Sequence, residues 1–177
     1  MNKLVIHRLV LTALFAALTC AATALLQVPS PVGGYFNLGD AVILTGAFLL
    51  GPLYGAAAGA IGASLADVLL GWVVYAPATF VIKFLTALTA ALLLRTLKKH
   101  RFVGAAVGAV TGELIMAAGY FFFEWLFYVG IAVAAKGLLT TNLPQAAINA
   151  AAAILLFLVL DRAHVIDQFN GGVSHER

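Results

Sequence analysis

A single cysteine, Cys20, in 177 residues excludes an internal disulfide and a cysteine-built metal cluster. Charge is also scarce. Only 10% of the residues are Asp, Glu, Lys or Arg, against about 25% in soluble domains, and no hydrophilic stretch is large enough for a soluble domain. The chain has no Gly-x-x-x-x-Gly-Lys-Ser/Thr phosphate loop, so ATP hydrolysis by that chemistry is excluded, and no His-Glu-x-x-His zinc motif. Its four histidines, His7, His100, His164 and His175, fall in basic segments or the tail, away from Ser64, so no Ser-His pair for nucleophilic catalysis is suggested. What remains is apolar: 63% of the residues are hydrophobic, and the mean hydropathy is +1.05.

A lipid core about 30 Å thick needs roughly 20 mostly apolar residues per helical crossing, and punctuation divides the chain into six such pieces. The first runs over residues 8–28 and stops at Pro29-Ser30-Pro31-Val32-Gly33-Gly34, which cannot continue a helix. The second, residues 38–50, is short and ends at Gly51-Pro52. The third covers residues 53–70, and the fourth begins at Pro77, where a missing N–H is no loss. The basic run 95–101 precedes a fifth at 103–129, and a link at 135–140 leads to a sixth at 142–160. The expected fold is all-α: one polytopic membrane domain over residues 1–177 with six transmembrane helices.

Lys and Arg gather on the cytoplasmic side of membranes. With the N-terminus inside, the inner face holds Lys3, Arg8, Arg95, Lys98, Lys99, Arg101, Arg162 and Arg177, and the outer face only Lys136. Both termini are therefore expected in the cytoplasm. The positive charge is a topology signal, and no basic patch on a soluble domain points to nucleic acid. Lys3 and Arg8 before an apolar run resemble a secretion signal, but that run exceeds the 7 to 15 residues usual for a signal core, so it reads as the first helix.

Ionisable groups in hydrocarbon are costly and usually face a protein interior, where they pair or touch a solute. Asp40, Asp67 and Lys83 fall in the outer half of the bundle, and Glu113 near mid-membrane. Either a structural ion-pair network or direct ligand contact explains the first three. Asn142, Gln145 and Asn149 share one face of the last helix, and Glu113, Tyr120 and Glu124 one face of the fifth. Trp72 and Tyr75 flank the Pro77 helix start beside Lys83 and suit stacking on a flat ligand, whereas Trp125 and Tyr128 read as an interfacial belt. The 29–36 connection, with two prolines, two glycines, Tyr35 and Phe36, is either an ordinary turn or a lid. Ala13, Ala17 and Ala21 place small side chains on one face of the first helix, and Gly55, Gly59 and Ala63 do so on the third, as close helix packing requires.

Asn37-Leu38-Gly39-Asp40, a short helix, Gly51-Pro52, a Gly- and Ala-rich helix with Asp67, then Tyr75-Ala76-Pro77-Ala78-Thr79-Phe80 and Lys83 resemble one family in particular. It is that of the substrate-binding S components of energy-coupling factor (ECF) vitamin transporters, in the riboflavin-type group. The resemblance implies a six-helix subunit of a prokaryotic cell membrane that captures a water-soluble vitamin near the outer face, with no enzymatic activity, cofactor or metal. It also implies an ECF module as partner, made of a membrane scaffold and two ATPases, with Ala13, Ala17 and Ala21 meeting the scaffold and the 29–36 connection covering the ligand. The expected substrate-binding residues are Asn37, Asp40, Trp72, Tyr75, Lys83, Glu113, Tyr120, Asn142, Gln145 and Asn149. A pyridoxine- or hydroxymethylpyrimidine-like molecule is favoured over riboflavin, because polar groups outnumber the aromatic surfaces a flavin would want. The rival reading is a stand-alone proton-coupled carrier using Asp40, Asp67, Lys83 and Glu113 as a relay.

Overall fold

A computed structural model describes residues 3–30 and 35–166. Pro31 to Gly34 of the expected lid, and the tail with His175 and Arg177, lie outside the described residues. The elements follow as α1 (Lys3–Leu25), β1 (Gln27–Pro29), β2 (Tyr35–Asn37), α2 (Gly39–Leu50), α3 (Pro52–Leu69), α4 (Ala76–Thr96), α5 (Arg101–Phe123), α6 (Ile131–Gly137) and α7 (Leu143–Arg162). The protein is an all-α polytopic membrane protein, with five helices long and apolar enough to cross a bilayer.

Three features add to the sequence reading. The second helix, α2, has 12 residues, about 18 Å at 1.5 Å per residue, too short to cross lipid alone. It is instead the axis of the bundle, touching α1, α3, α4, α5 and α7, and nearly every residue of it is buried. The link expected at 135–140 is helical: α6 runs through a π-helical turn, Leu138–Asn142, into α7. A second π turn, Glu124–Tyr128, extends α5. The flanks of the 29–36 connection pair as an antiparallel hairpin, Gln27 with Asn37, Val28 with Phe36 and Pro29 with Tyr35.

Lipid cannot drive helices together by hydrophobic burial, so backbone approach through small residues has to do so. The interior is accordingly rich in alanine: Ala56, Ala60, Ala87, Ala90, Ala105, Ala109 and Ala153 are fully enclosed. Large aliphatic side chains such as Leu14, Leu65, Val81, Leu114 and Leu155 point outward. The third-helix series is consumed inside the bundle: a Cβ on Gly55 would stand 2.5 Å from Ala47 Cα, and one on Gly59 2.7 Å from Ile43. Gly62 lies against the Ala16 carbonyl and Thr19 of α1, and a Cβ on Gly108 of α5 would lie 2.6 Å from the Ala90 carbonyl of α4. Gly51, at φ +82° with the Arg95 guanidinium over it, makes the sharp α2–α3 corner that only glycine adopts without strain. By contrast Ala13, Ala17 and Ala21 stay exposed on α1, whose packed side carries Thr19 and Thr23.

Overpacking a close backbone contact costs about 1–3 kcal/mol. Gly108→Leu and Gly55→Leu should therefore each lower the melting temperature of the detergent-purified protein. An unchanged melting temperature for Gly108→Leu would contradict the α4–α5 approach.

Candidate functional site

The first turn of α2, the C-terminal turns of α3 and α5 and the N-terminal turns of α4 and α7 all lie at one end of the bundle, opposite Arg95, Arg101 and Arg162. Asp40 occupies the first turn of α2, where a carboxylate is favoured by the helix dipole. Lys83, about two turns into α4, donates to Asp40 Oδ1 at 2.6 Å and Oδ2 at 2.8 Å. Both groups are sealed from solvent, with Lys83 3% and Asp40 0% exposed. Gln145 Nε2 donates to Asp40 Oδ2 at 2.8 Å, and its Oε1 accepts the Asn37 amide N–H at 2.9 Å. Asn149 Oδ1 accepts the Ala41 N–H, while its Nδ2 donates to the carbonyls of Asn37 and Gln145. The Asn37 side-chain oxygen in turn accepts the Gly39 N–H. Two amides of α7 thereby satisfy backbone groups around the α2 start that a helix cannot satisfy itself.

In front of this network lies a small, partly open cavity. Lys83, Gln145, Asn37 and Asn142 form part of its wall. Aromatic rings form another part. Tyr35 and Trp72 stand 6.2 Å apart between centroids, Trp72 and Tyr75 5.9 Å, and Tyr75 and Tyr120 6.4 Å. Asp67, Glu124, Thr23, Thr79 and Thr141 complete the polar lining. Tyr35 donates to Asp67 Oδ1 at 2.5 Å, and Tyr75 to Glu124 Oε1 at 3.3 Å. Burial, and next the Asp67 carboxylate, push the Tyr35 phenol well up. Burial, and next Glu124, do the same to Tyr75. Both therefore remain proton donors throughout the physiological range. Two buried atoms in the wall lack any partner, Asp67 Oδ2 and Asn142 Nδ2. Among the described residues, no three His, Cys, Asp or Glu side chains converge as metal ligands would.

Residues 3–164 match the profile of the family described as the ECF-type riboflavin transporter, S component. The chain belongs to this family. It is a vitamin-uptake substrate-binding component, and the family is one of transport subunits rather than of enzymes. A Pyrococcus woesei protein described as "Uncharacterized protein in gap 3'region" is 34% identical over 107 residues, which is 60% of this chain and 70% of that one.

Within this S component the ten residues expected to touch substrate divide into two layers. Asn37, Trp72, Tyr75, Lys83, Tyr120, Asn142 and Gln145 line this cavity. Asp40, Glu113 and Asn149 do not: Asp40 and Asn149 stand behind the wall, holding Lys83, Gln145 and Asn37 in place. Glu113 is 1% exposed with neither oxygen hydrogen-bonded, within electrostatic reach of Asp40 and Lys83. Asp67 pairs with Tyr35 instead of joining the Lys83–Asp40 bridge. Tyr128, itself exposed, packs edge-on against Tyr75 at 5.1 Å and so also braces the cavity ring. Thr79, which shares a 2.9 Å hydrogen bond with Tyr120, and Thr141, bonded to Ser30 of the hairpin at 2.6 Å, were not singled out from sequence. Threonines are common in membrane helices as packing residues, so only their position identifies them.

Removing one partner of a buried ion pair strands the other charge, at a cost of about 3–5 kcal/mol. Lys83→Met should lower stability on that scale, and adding Asp40→Asn should recover more than half of the loss, because Asn still accepts from Gln145. Equal melting temperatures for the single and double variants would show that the two side chains are not coupled.

Proposed function

We propose that this chain is the capture subunit of an ATP-driven ECF importer, binding a small heterocyclic vitamin or precursor from the outer side and docking on a separate scaffold with two ATPases. The observation that carries this reading is the convergence of seven expected residues, from five segments of the bundle, on one cavity. Placement of the cavity on the outer side is supported by Arg8, Arg95, Lys98, Lys99, Arg101 and Arg162, which gather at the opposite end, as cytoplasmic loops do. Both termini then lie in the cytoplasm of a prokaryotic cell, and the cavity faces outward.

Docking through α1 is supported by its packing. The helix uses Phe15, Ala16, Thr19 and Thr23 against the bundle and leaves Ala13, Ala17 and Ala21 exposed between Leu14, Leu18 and Leu25. A small-residue face of that kind admits another helix at close range. The substrate reading favours a pyridoxine- or hydroxymethylpyrimidine-sized ring over riboflavin, since amides and carboxylates occupy much of the wall. Glu113, buried without a partner, is the one observation on the side of a proton-coupled carrier. A carrier works alone, so copurification with an ATPase module separates the two.

Ligand that binds only the folded state raises its melting temperature, by about 2.7 kcal/mol of stabilisation at a hundredfold excess over Kd. A vitamin panel tested against the detergent-purified protein should contain a compound that does so, and Asn142→Ala should weaken its binding tenfold or more. Ala17→Trp should leave binding intact and abolish uptake in cells that carry the ECF module. If the two substitutions behaved alike, the division into pocket and docking face would be wrong.

A further inference from the structure

The charges around the cavity do not balance. Asp67 and Glu124 line it, and Lys83 is the cation that does. Lys83 is already committed, because Asp40 behind the wall holds its ammonium with both oxygens. Glu113 adds a further carboxylate close to that pair. Among the described residues neither Asp67 nor Glu124 has a cationic partner. Phenol hydroxyls hold one oxygen of each, and Asp67, 5% exposed, keeps Oδ2 without a formed hydrogen bond, with the Thr79 hydroxyl close by. A buried carboxylate in this state is stabilised by any cation that reaches it.

The rings beside these carboxylates point the same way. Tyr35, Trp72, Tyr75 and Tyr120 form a continuous run around the space, and the faces of such rings attract cations. Tyr120 already does so within the protein, with Lys83 Nζ 5.1 Å from its centroid. On the α7 side the unpartnered Asn142 Nδ2 offers a donor. Resting on the reading of this cavity as the vitamin site, we propose that it selects a positively charged ligand. The ligand is a flat heteroaromatic cation, or a ring bearing a protonated amine, with its N–H or N⁺ toward Asp67 Oδ2 and a ring acceptor toward Asn142. A neutral ring of the same size leaves Asp67 uncompensated and is disfavoured.

Pyridoxamine and pyridoxine are a matched pair, differing by a protonated aminomethyl against a neutral hydroxymethyl group; thiamine and riboflavin are a second, looser pair. Calorimetric titration of the full-length protein in detergent at neutral pH should show the cationic member of at least one pair binding tenfold or more tightly than its counterpart. Asp67→Asn should erase that preference, and Glu124→Gln provides the same test should Asp67→Asn fail to fold. Binding with no such preference in either pair overturns the charge inference and leaves vitamin capture standing. So does a preference that survives both substitutions. Failure of the whole vitamin panel to bind removes the capture reading as well.

Discussion

The Lys83–Asp40 bridge is the contact on which the arrangement of this bundle depends. Two charges taken out of water must recover their hydration from each other and from further hydrogen bonds, and the pair is stable only when the geometry is good. Here Asp40 has both oxygens engaged by Lys83 and one also by Gln145. The bridge fixes α4 against the start of α2, while Gln145 and Asn149 fix α7 to the same point. The wall of the cavity is thus built from groups whose positions are set by a layer behind it.

That dependence explains why a 12-residue helix can occupy the centre of a membrane protein. A short helix in hydrocarbon exposes end groups that water cannot satisfy, and each unsatisfied group costs several kcal/mol. At the start of α2 the amides of α7 and the Asn37 side chain supply those partners. At its end the Gly51 N–H donates to the Ala47 carbonyl, and Arg95 lies over the glycine. Enclosed in this way, α2 leaves room at the cavity end of the bundle, where none of its residues lines the space.

Much of this was legible in the sequence, for physical reasons. Apolar runs of crossing length and proline or glycine breaks are local signals, and they placed the long helices within a few residues. Lys83, Asn142, Gln145 and Asn149 were legible because a polar side chain in an apolar run has few tolerable places to go. Which of them would face the cavity was not, since helical periodicity gives a face but not the layer behind it; Asn149 shares its face with Asn142 and Gln145 yet acts from the rear. The π turns at 124–128 and 138–142 carry no sequence signature comparable to proline, so the second was read as a link. Both turns deliver cavity residues, Glu124 in one and Thr141 with Asn142 in the other, consistent with the tendency of such turns to occur at functional sites.

The hairpin meets the cavity through its two ends. Tyr35, carried on β2, donates to Asp67 Oδ1, and Ser30, just after β1, bonds Thr141 at the start of the last helix. Asn37, at the end of β2, is held by Gln145 and Asn149 as well. The same α7 amide, Gln145, also bonds Asp40, the partner of Lys83. The place of Tyr35 against Asp67 therefore depends on contacts made behind the cavity wall, because β2 carries both Tyr35 and Asn37 and its end is fixed by those amides.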